Sequence, residues 1–174
     1  PDRGVRQAAI AAVGTLGGRD RLPALLARTD PAKEADAAVR QQAWDVAMAL
    51  LAKADPPAIR EAIAVCDARE GADAQRLRLL QMLAEKLAAA KDAAYPQAER
   101  DLGRALVKAN RPAEAETHLA RAYEALAGAQ APDATDVWHE WVAALLGADD
   151  PRALIAIAGQ PDDAAYAKAM AAFE

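Results

Sequence analysis

The chain has 174 residues, nearly a third of them alanine and only 4% aromatic, and its formal net charge is −5 at pH 7. Alanine is the strongest helix former and strand-type alternation of apolar and polar residues is absent, so the composition predicts an all-α fold. Acidic and basic residues are interleaved, which leaves no concentrated positive field for nucleic acid. No apolar run reaches the roughly 18–20 residues that span a bilayer, so we expect no membrane insertion in this segment.

The first residues and the cysteine content bear on the context of the chain. The chain opens with Pro1-Asp2-Arg3, without an initiator Met or the pattern of a signal peptide, which is typical of a segment cut from a longer chain. The single cysteine, Cys66, has no internal disulfide partner. This slightly favours a reducing compartment such as the cytoplasm, but a disulfide-free periplasmic domain would look the same. Compartment and oligomeric state therefore stay open.

Prolines mark the predicted helix starts, because the N–H groups of a first helical turn lack intrahelical acceptors. Asp30-Pro31, Asp55-Pro56 and Asp150-Pro151 each pair an N-cap residue with a proline at the first helical position. Between such marks the apolar residues recur at helical spacing. The pattern predicts about ten short helices, in chain order near residues 3–16, 20–28, 34–53, 56–68, 73–91, 95–109, 112–128, 133–147, 150–159 and 161–173.

One short motif occurs twice in the first part of the chain. The pattern D-x-x-V-R-Q-x-A occupies residues 2–9 and again residues 36–43, an offset of 34 residues. It resembles the HEAT repeat, whose second helix commonly opens with Asp-x-x-Val-Arg. In that family the Asp and the Arg help to link successive repeats in a ladder. The resemblance assigns this role to Asp2, Arg6, Asp36 and Arg40.

A second resemblance covers residues 95–128. Leu102-Gly103 matches the Leu-Gly pair of the tetratricopeptide repeat, in which the glycine lets the partner helix approach closely. The residues that follow at the spacing of that family are Ala115, Leu119 and Ala122. The chain departs from the family pattern at Glu99, where an aromatic residue is usual, and at Leu106, where a tyrosine is customary. A weaker second copy begins at Trp138.

Together the two resemblances imply an α-solenoid, since both families stack helical hairpins and each hairpin alone buries too little apolar surface. We therefore expect about ten short antiparallel helices stacked as hairpins. Residues 1–70 are assigned to HEAT-like hairpins and residues 71–174 to tetratricopeptide-like hairpins. The expected architecture is one continuous solenoid cut from a longer chain.

The stretch DVWHEWV, residues 136–142, holds two of the three tryptophans and one of the two histidines. Trp138 and Trp141 are three residues apart and share a helical face with Val142, so their spacing favours a core stripe. The alternative is an aromatic pocket that receives a peptide side chain. His139 lies about 100° away on the flank and is interpreted as a half-exposed histidine.

Residues for catalysis are scarce. The chain has no serine, which rules out a serine-based triad within this segment. A zinc site typically includes a His pair at i, i+4, whereas His118 and His139 are far apart and Cys66 lies on an apolar stripe that predicts an inert thiol. We expect no metal, no cofactor and no enzymatic activity. Some HEAT-like proteins are DNA glycosylases and others resemble lyases that attach bilin chromophores; the acidic net charge disfavours the first, and the repeats leave the second open.

A row of basic residues is the best functional candidate. Arg100, Arg104 and Lys108 lie at i, i+4 and i+8, opposite the leucine stripe of their predicted helix. The tetratricopeptide resemblance places the first helix of each hairpin, and hence this row, on a concave surface, with His139 at the matching place in the next hairpin. We hypothesise that the row binds acidic groups or a terminal carboxylate of a peptide. The alternative is a solvated face balanced by acidic residues on a neighbouring helix.

The predicted function is a non-catalytic protein–protein interaction module that binds a partner protein or peptide with acidic groups on its concave face. No nucleic acid is expected as a partner. The alternative function is a structural spacer or docking arm within a larger multidomain protein, for example an enzymatic one.

Overall fold

The computed structural model describes residues 2–150 and 152–158, and all regular secondary structure in them is helical. The all-α prediction is confirmed. A short 3₁₀ turn, Arg19–Arg21, precedes the second helix. The α-helices are α1 (Arg3–Leu16), α2 (Leu22–Arg28), α3 (Ala37–Leu51), α4 (Pro56–Asp67), α5 (Asp73–Ala90), α6 (Tyr95–Lys108), α7 (Pro112–Gly128), α8 (Ala134–Gly147) and α9 (Arg152–Ala158).

These helices match the predicted positions closely, with one correction. The tenth predicted helix, near residues 161–173, lies outside the described residues. The prediction that Pro31 opens a helix is wrong: the Asp30 carboxylate accepts a hydrogen bond from the Ala32 N–H at 2.9 Å and stabilises a turn. Helix α3 begins only at Ala37, because Asp36 supplies its N-cap. An Asp-Pro pair is therefore a turn signal as well as a helix signal.

Aspartate side chains cap the starts of three helices. Asp2 accepts a hydrogen bond from the Val5 N–H at the start of α1, at 2.9 Å. Asp36 accepts from two N–H groups at the start of α3, and Asp55 accepts from Ala58 at the start of α4. Backbone hydrogen bonds to Val39 and Ala38, the first of them the larger cause, hold the pKa of the Asp36 carboxyl below its usual value. Each cap supplies an acceptor for an N–H that the helix itself leaves unpaired.

Four consecutive helices, α5 to α8, end in the same kind of turn. Each is followed by a non-glycine residue with a left-handed backbone at positions 91, 110, 130 and 149, which are 19 or 20 residues apart. At each end the next N–H bonds to the carbonyl oxygen five residues earlier, as Arg111 bonds to Leu106 at 2.9 Å. This is the Schellman arrangement, which satisfies the free carbonyl groups at a helix end. The even spacing produces helices of similar length along this half of the chain.

The chain forms two compact units that divide between Leu83 and Ala84, inside α5. The sequence placed the boundary at residues 70 and 71, before this helix. In unit 1, α1 and α2 both pack on α3, and α2 also packs on α4. Its buried core is aliphatic, with the large side chains of Leu26, Val39, Leu51 and Ile59.

Polar contacts join the two copies of the D-x-x-V-R-Q motif. Arg6 lies 3.0 Å from the carboxylate of Glu34, and Arg3 lies 3.5 Å from that of Asp36. Gln42 donates a hydrogen bond to the carbonyl oxygen of Gln7 at 3.2 Å. Arg40 instead donates to backbone carbonyl groups just before α3, at 2.8 and 2.7 Å. The carboxylate that Arg6 meets is thus that of Glu34, which is buried and lies outside both copies of the motif.

In unit 2, α6 packs on α7, α7 on α8, and α8 on α9. The helices α6 and α7 approach closely at Gly103 of α6, where an added Cβ would lie 2.6 Å from the Cγ of Leu119 in α7. Leu119 and Ala115, which face this glycine, are both fully buried. Glycine is therefore needed for α6 and α7 to approach this closely.

Candidate functional site

The predicted basic row begins with an ion-pair cluster between α6 and α8. The Arg100 and Arg104 guanidinium groups lie 2.7 and 2.6 Å from the same Glu140 oxygen. Arg100 also lies 3.5 Å from the carboxylate of Asp133, just before α8. Glu140 thus receives both arginines of the row, at the spacing of charge-assisted hydrogen bonds.

Burial and hydrogen bonding act in opposite directions on this cluster. Burial alone would raise the pKa of Glu140, but hydrogen bonds from Arg100 and Arg104 outweigh it and hold that pKa below its usual value. The hydrogen bond to Glu140 raises the pKa of Arg100 further above its ordinary value. Both partners are therefore charged at neutral pH. Arg100 is only 8% exposed, whereas half of the Arg104 side chain is exposed. The cluster therefore joins α6 to α8 through one buried and one exposed arginine.

The other two predicted site residues lie in different environments. Lys108 is exposed in the last turn of α6. His139 is half-buried against the edge of Trp138, and neither of its ring nitrogens has a hydrogen-bond partner among the described residues. Both nitrogens are shielded from solvent. An acidic ligand would therefore reach Arg104 and Lys108 more directly than His139.

The two tryptophans of the DVWHEWV stretch differ. Trp138 is 2% exposed and forms a core cluster with Val142 and Ile157, so the core prediction is confirmed for it. Trp141 is partly buried, stacks on Tyr123 with ring centroids 5.8 Å apart, and donates its indole N–H to Glu116 at 3.2 Å. Its polar edge therefore takes part in a hydrogen-bonded contact between α7 and α8.

The sequence did not predict that two carboxylates of unit 2, those of Glu99 and Glu116, are buried. Glu99 lies 2.6 Å from the Nδ1 of His118, which joins α6 to α7. Burial, and then a hydrogen bond with Glu99, raise the pKa of Tyr95 beside it. Glu116 contacts Trp141 and lies 3.3 Å from Arg152 of α9. A usable signal existed, because both glutamates fall on the apolar face of their helices, where a carboxylate needs a partner.

Unit 1 contains an open groove between α1 and α2, with a volume of about 460 Å³. We call it the α1–α2 groove. Its apolar lining comes from Val5, Ala9, Ile10, Val13, Ala24 and Leu25, and Val39 of α3 also contributes. Three arginines line it as well: Arg6, Arg21 and Arg28. The sequence did not indicate this groove, since it exists only because α1 and α2 rest side by side on α3.

The apolar residues of the groove are partly open to solvent. Val5 is 56% exposed and Ala9 and Ala24 are exposed, whereas Ile10 and Leu25 form the buried floor. Arg6 and Arg28, two of the lining arginines, also approach the buried carboxylate of Glu34 at 3.0 and 3.6 Å. The groove is thus a concave apolar surface lined also by cations, and we treat it as a candidate binding site.

No family model, curated protein or solved structure matches this chain. Among the helices that the structure describes, none combines the length and the apolar character needed to cross a membrane. Within residues 2–150 and 152–158, no three His, Cys, Asp or Glu side chains come together as a metal site requires.

Proposed function

We propose that this chain is a non-catalytic helical-repeat module that binds a partner protein, and that the α1–α2 groove is its principal binding surface. The observation that carries the proposal is the exposed apolar lining of that groove, with Val5 56% exposed beside a buried aliphatic floor. Full burial of a valine or leucine side chain contributes about 1.5–3 kcal/mol. Binding of a partner that covers the groove is therefore favoured, because it buries apolar side chains that the isolated chain leaves exposed to water.

The basic row in unit 2, formed by Arg100, Arg104 and Lys108, remains a predicted second binding surface. Its partner would be a peptide with acidic groups, approaching Arg104 and Lys108. Glu140 already occupies the guanidinium groups of Arg100 and Arg104, so an acidic ligand must share or displace it. For this reason we rank the row below the α1–α2 groove.

The second candidate function is a structural spacer or docking arm within a larger multidomain protein. The observation that favours it is the same ion-pair cluster, because its charges are satisfied within the chain. A module whose exposed charges pair internally and whose groove captures nothing would serve as a spacer.

A capture experiment with matched variants separates these functions. The groove variant is Val5→Gln/Ala9→Gln, which makes two lining positions of α1 polar without adding charge. Its control is Ala12→Gln/Leu16→Gln, a second exposed pair at the same i, i+4 spacing on α1 that does not line the groove. A third variant, Arg104→Glu, tests the basic row. Circular dichroism must show all of them equally helical.

The expected result is that a protein retained from lysate by the parent chain is lost from the groove variant and kept by its control. Loss from Arg104→Glu alone would transfer the binding site to the basic row. Equal retention of a protein by the parent chain and all three variants would contradict both surfaces. Retention of no protein by the parent chain would favour the spacer.

A further inference from the structure

We propose that the occupant of the α1–α2 groove is an amphipathic α-helix of another protein, with an apolar face in the groove and acidic flanks at the arginines. This inference rests on the proposed function and specifies the conformation and the charge of the partner segment. Three features of the groove support it: its length, the chemistry of its walls and the sign of its charge.

The length of the groove suits a helix of about two turns. On α1 the apolar lining positions Val5, Ala9 and Val13 are four residues apart, so they form one ridge about 12 Å long at 1.5 Å per residue. A partner helix that uses positions i, i+4 and i+7 presents an apolar stripe of about 10.5 Å by the same rise. Ridges of residues four apart are those that interdigitate when two helices pack. The groove therefore matches the anchor spacing of a helix.

The walls of the groove disfavour an extended peptide. Of the described residues that line it, none carries an amide or hydroxyl side chain. The backbone groups of α1 and α2 are engaged in their own helices, so they offer no ladder of hydrogen bonds. An extended peptide would lose water from its N–H and C=O groups without replacement partners, which is costly. A helix arrives with these groups already paired.

The charge at the groove favours acidic flanks. Three guanidinium groups line it and, among the described lining residues, no carboxylate does. The Glu34 carboxylate that Arg6 and Arg28 approach is buried, with 4% of it exposed. Arg21 and Arg28 are exposed at the rim, where they are placed to meet carboxylates of a partner. This local excess of positive charge contrasts with the net charge of −5 for the whole chain, and it would steer an acidic helix to this face.

The test uses synthetic labelled peptides of about 15 residues, long enough for four helical turns. One has leucines on a single face and glutamates on both flanks. The second keeps the same leucines and carries lysines instead of glutamates. The third is the glutamate peptide with a central proline, which breaks the helix. Fluorescence anisotropy measures the binding of each to the complete chain.

We expect the glutamate peptide to bind roughly tenfold or more tightly than either of the other two. The difference from the lysine peptide should narrow as salt is added, because exposed charges are screened. The groove variant Val5→Gln/Ala9→Gln should weaken binding of the glutamate peptide by a similar factor, and its control Ala12→Gln/Leu16→Gln should leave binding unchanged. Arg21→Glu/Arg28→Glu should reverse the preference between the glutamate and lysine peptides.

Several results would overturn the inference. Equal binding of the glutamate and lysine peptides would refute the charge argument, and equal binding of the proline peptide would refute the helix. If the chain forms dimers that the groove variant abolishes, the occupant is a second copy rather than another protein. If no peptide binds but capture of a protein from lysate still depends on the groove, this inference fails and the proposed function survives. If no peptide binds and no captured protein depends on the groove, both fail.

Discussion

Replacing Gly103 with alanine adds one methyl group at the contact between α6 and α7. The added carbon would lie 2.6 Å from the Cγ of Leu119, 2.8 Å from its Cδ2 and 3.4 Å from the carbonyl oxygen of Ala115. The Cγ is not the free end of the side chain, and Leu119 is 1% exposed. The leucine therefore has little room to turn away, and the two helices must move apart.

The expected magnitude is the difference between two opposing effects. Overpacking of a well-packed core typically costs 1–3 kcal/mol, that is, about 2 kcal/mol. Replacement of glycine by alanine inside a helix stabilises by about 1 kcal/mol through helix propensity. We therefore expect Gly103→Ala to lower the free energy of unfolding by about 1 kcal/mol, and by up to 2 kcal/mol if the backbone cannot shift.

Urea titration followed by far-ultraviolet circular dichroism and tryptophan fluorescence measures this change. The matched control is Gly128→Ala in α7, where an added Cβ meets nothing within 4 Å; there we expect a small stabilisation of up to about 1 kcal/mol. Adding Leu119→Ala should relieve the clash, so the double variant should cost less than the sum of the single variants. If Gly103→Ala stabilises the chain as Gly128→Ala does, the close approach of α6 and α7 is not as described.

Three further predictions concern other parts of the chain. Glu140→Gln should lower the free energy of unfolding by about 2 kcal/mol at neutral pH, because the buried Arg100 loses a charged acceptor. The pKa of Glu140 in the folded chain lies below its ordinary 4.5, so the stability that its charge contributes is fully present above pH 4.5 and is lost as the pH falls through the folded pKa. Urea titrations in acid should therefore show the free energies of unfolding of the variant and the parent converging. Gln130→Gly should raise the melting temperature, with a stabilisation of about 0.5–1 kcal/mol, because residue 130 has a φ of 53°, a left-handed backbone that glycine adopts without strain. A lower melting temperature would argue against a left-handed backbone there. Burial raises the pKa of the Cys66 thiol, so a thiol reagent at pH 8 should react slowly with the folded chain and rapidly in urea, and equal rates would contradict the buried position.

Local patterns predicted the helices well because the signals that start and end a helix act over a few residues. Asp36 and Asp55 cap the helices that follow them, and the left-handed turn at residue 110 ends α6 by bonds to carbonyl groups of its own last turn. The error at Pro31 has the same local origin. Asp30 supports either a helix start or a turn, and its neighbours stabilise the turn.

The candidate sites were harder to predict because they depend on which helices meet. The sequence identified Arg100 and Arg104 as a basic row, but their acceptor, Glu140, lies about 40 residues away along the chain. The burial of Glu34 was likewise hidden, since its partner Arg6 belongs to the preceding copy of the motif. The positions of these arginines along the chain do not indicate which carboxylate each of them meets.

The sequence by itself determined the helical class, the approximate positions of the described helices apart from the start of α3, and the glycine at the close contact between α6 and α7. Periodicity, capping and propensity act between residues a turn or two apart, so they can be read along the chain. Tertiary structure alone decided the pairing of Glu140 with two arginines and the exposed groove between α1 and α2. Both depend on how separate helices pack, because burial and charge pairing are properties of surfaces that the chain brings together from distant segments.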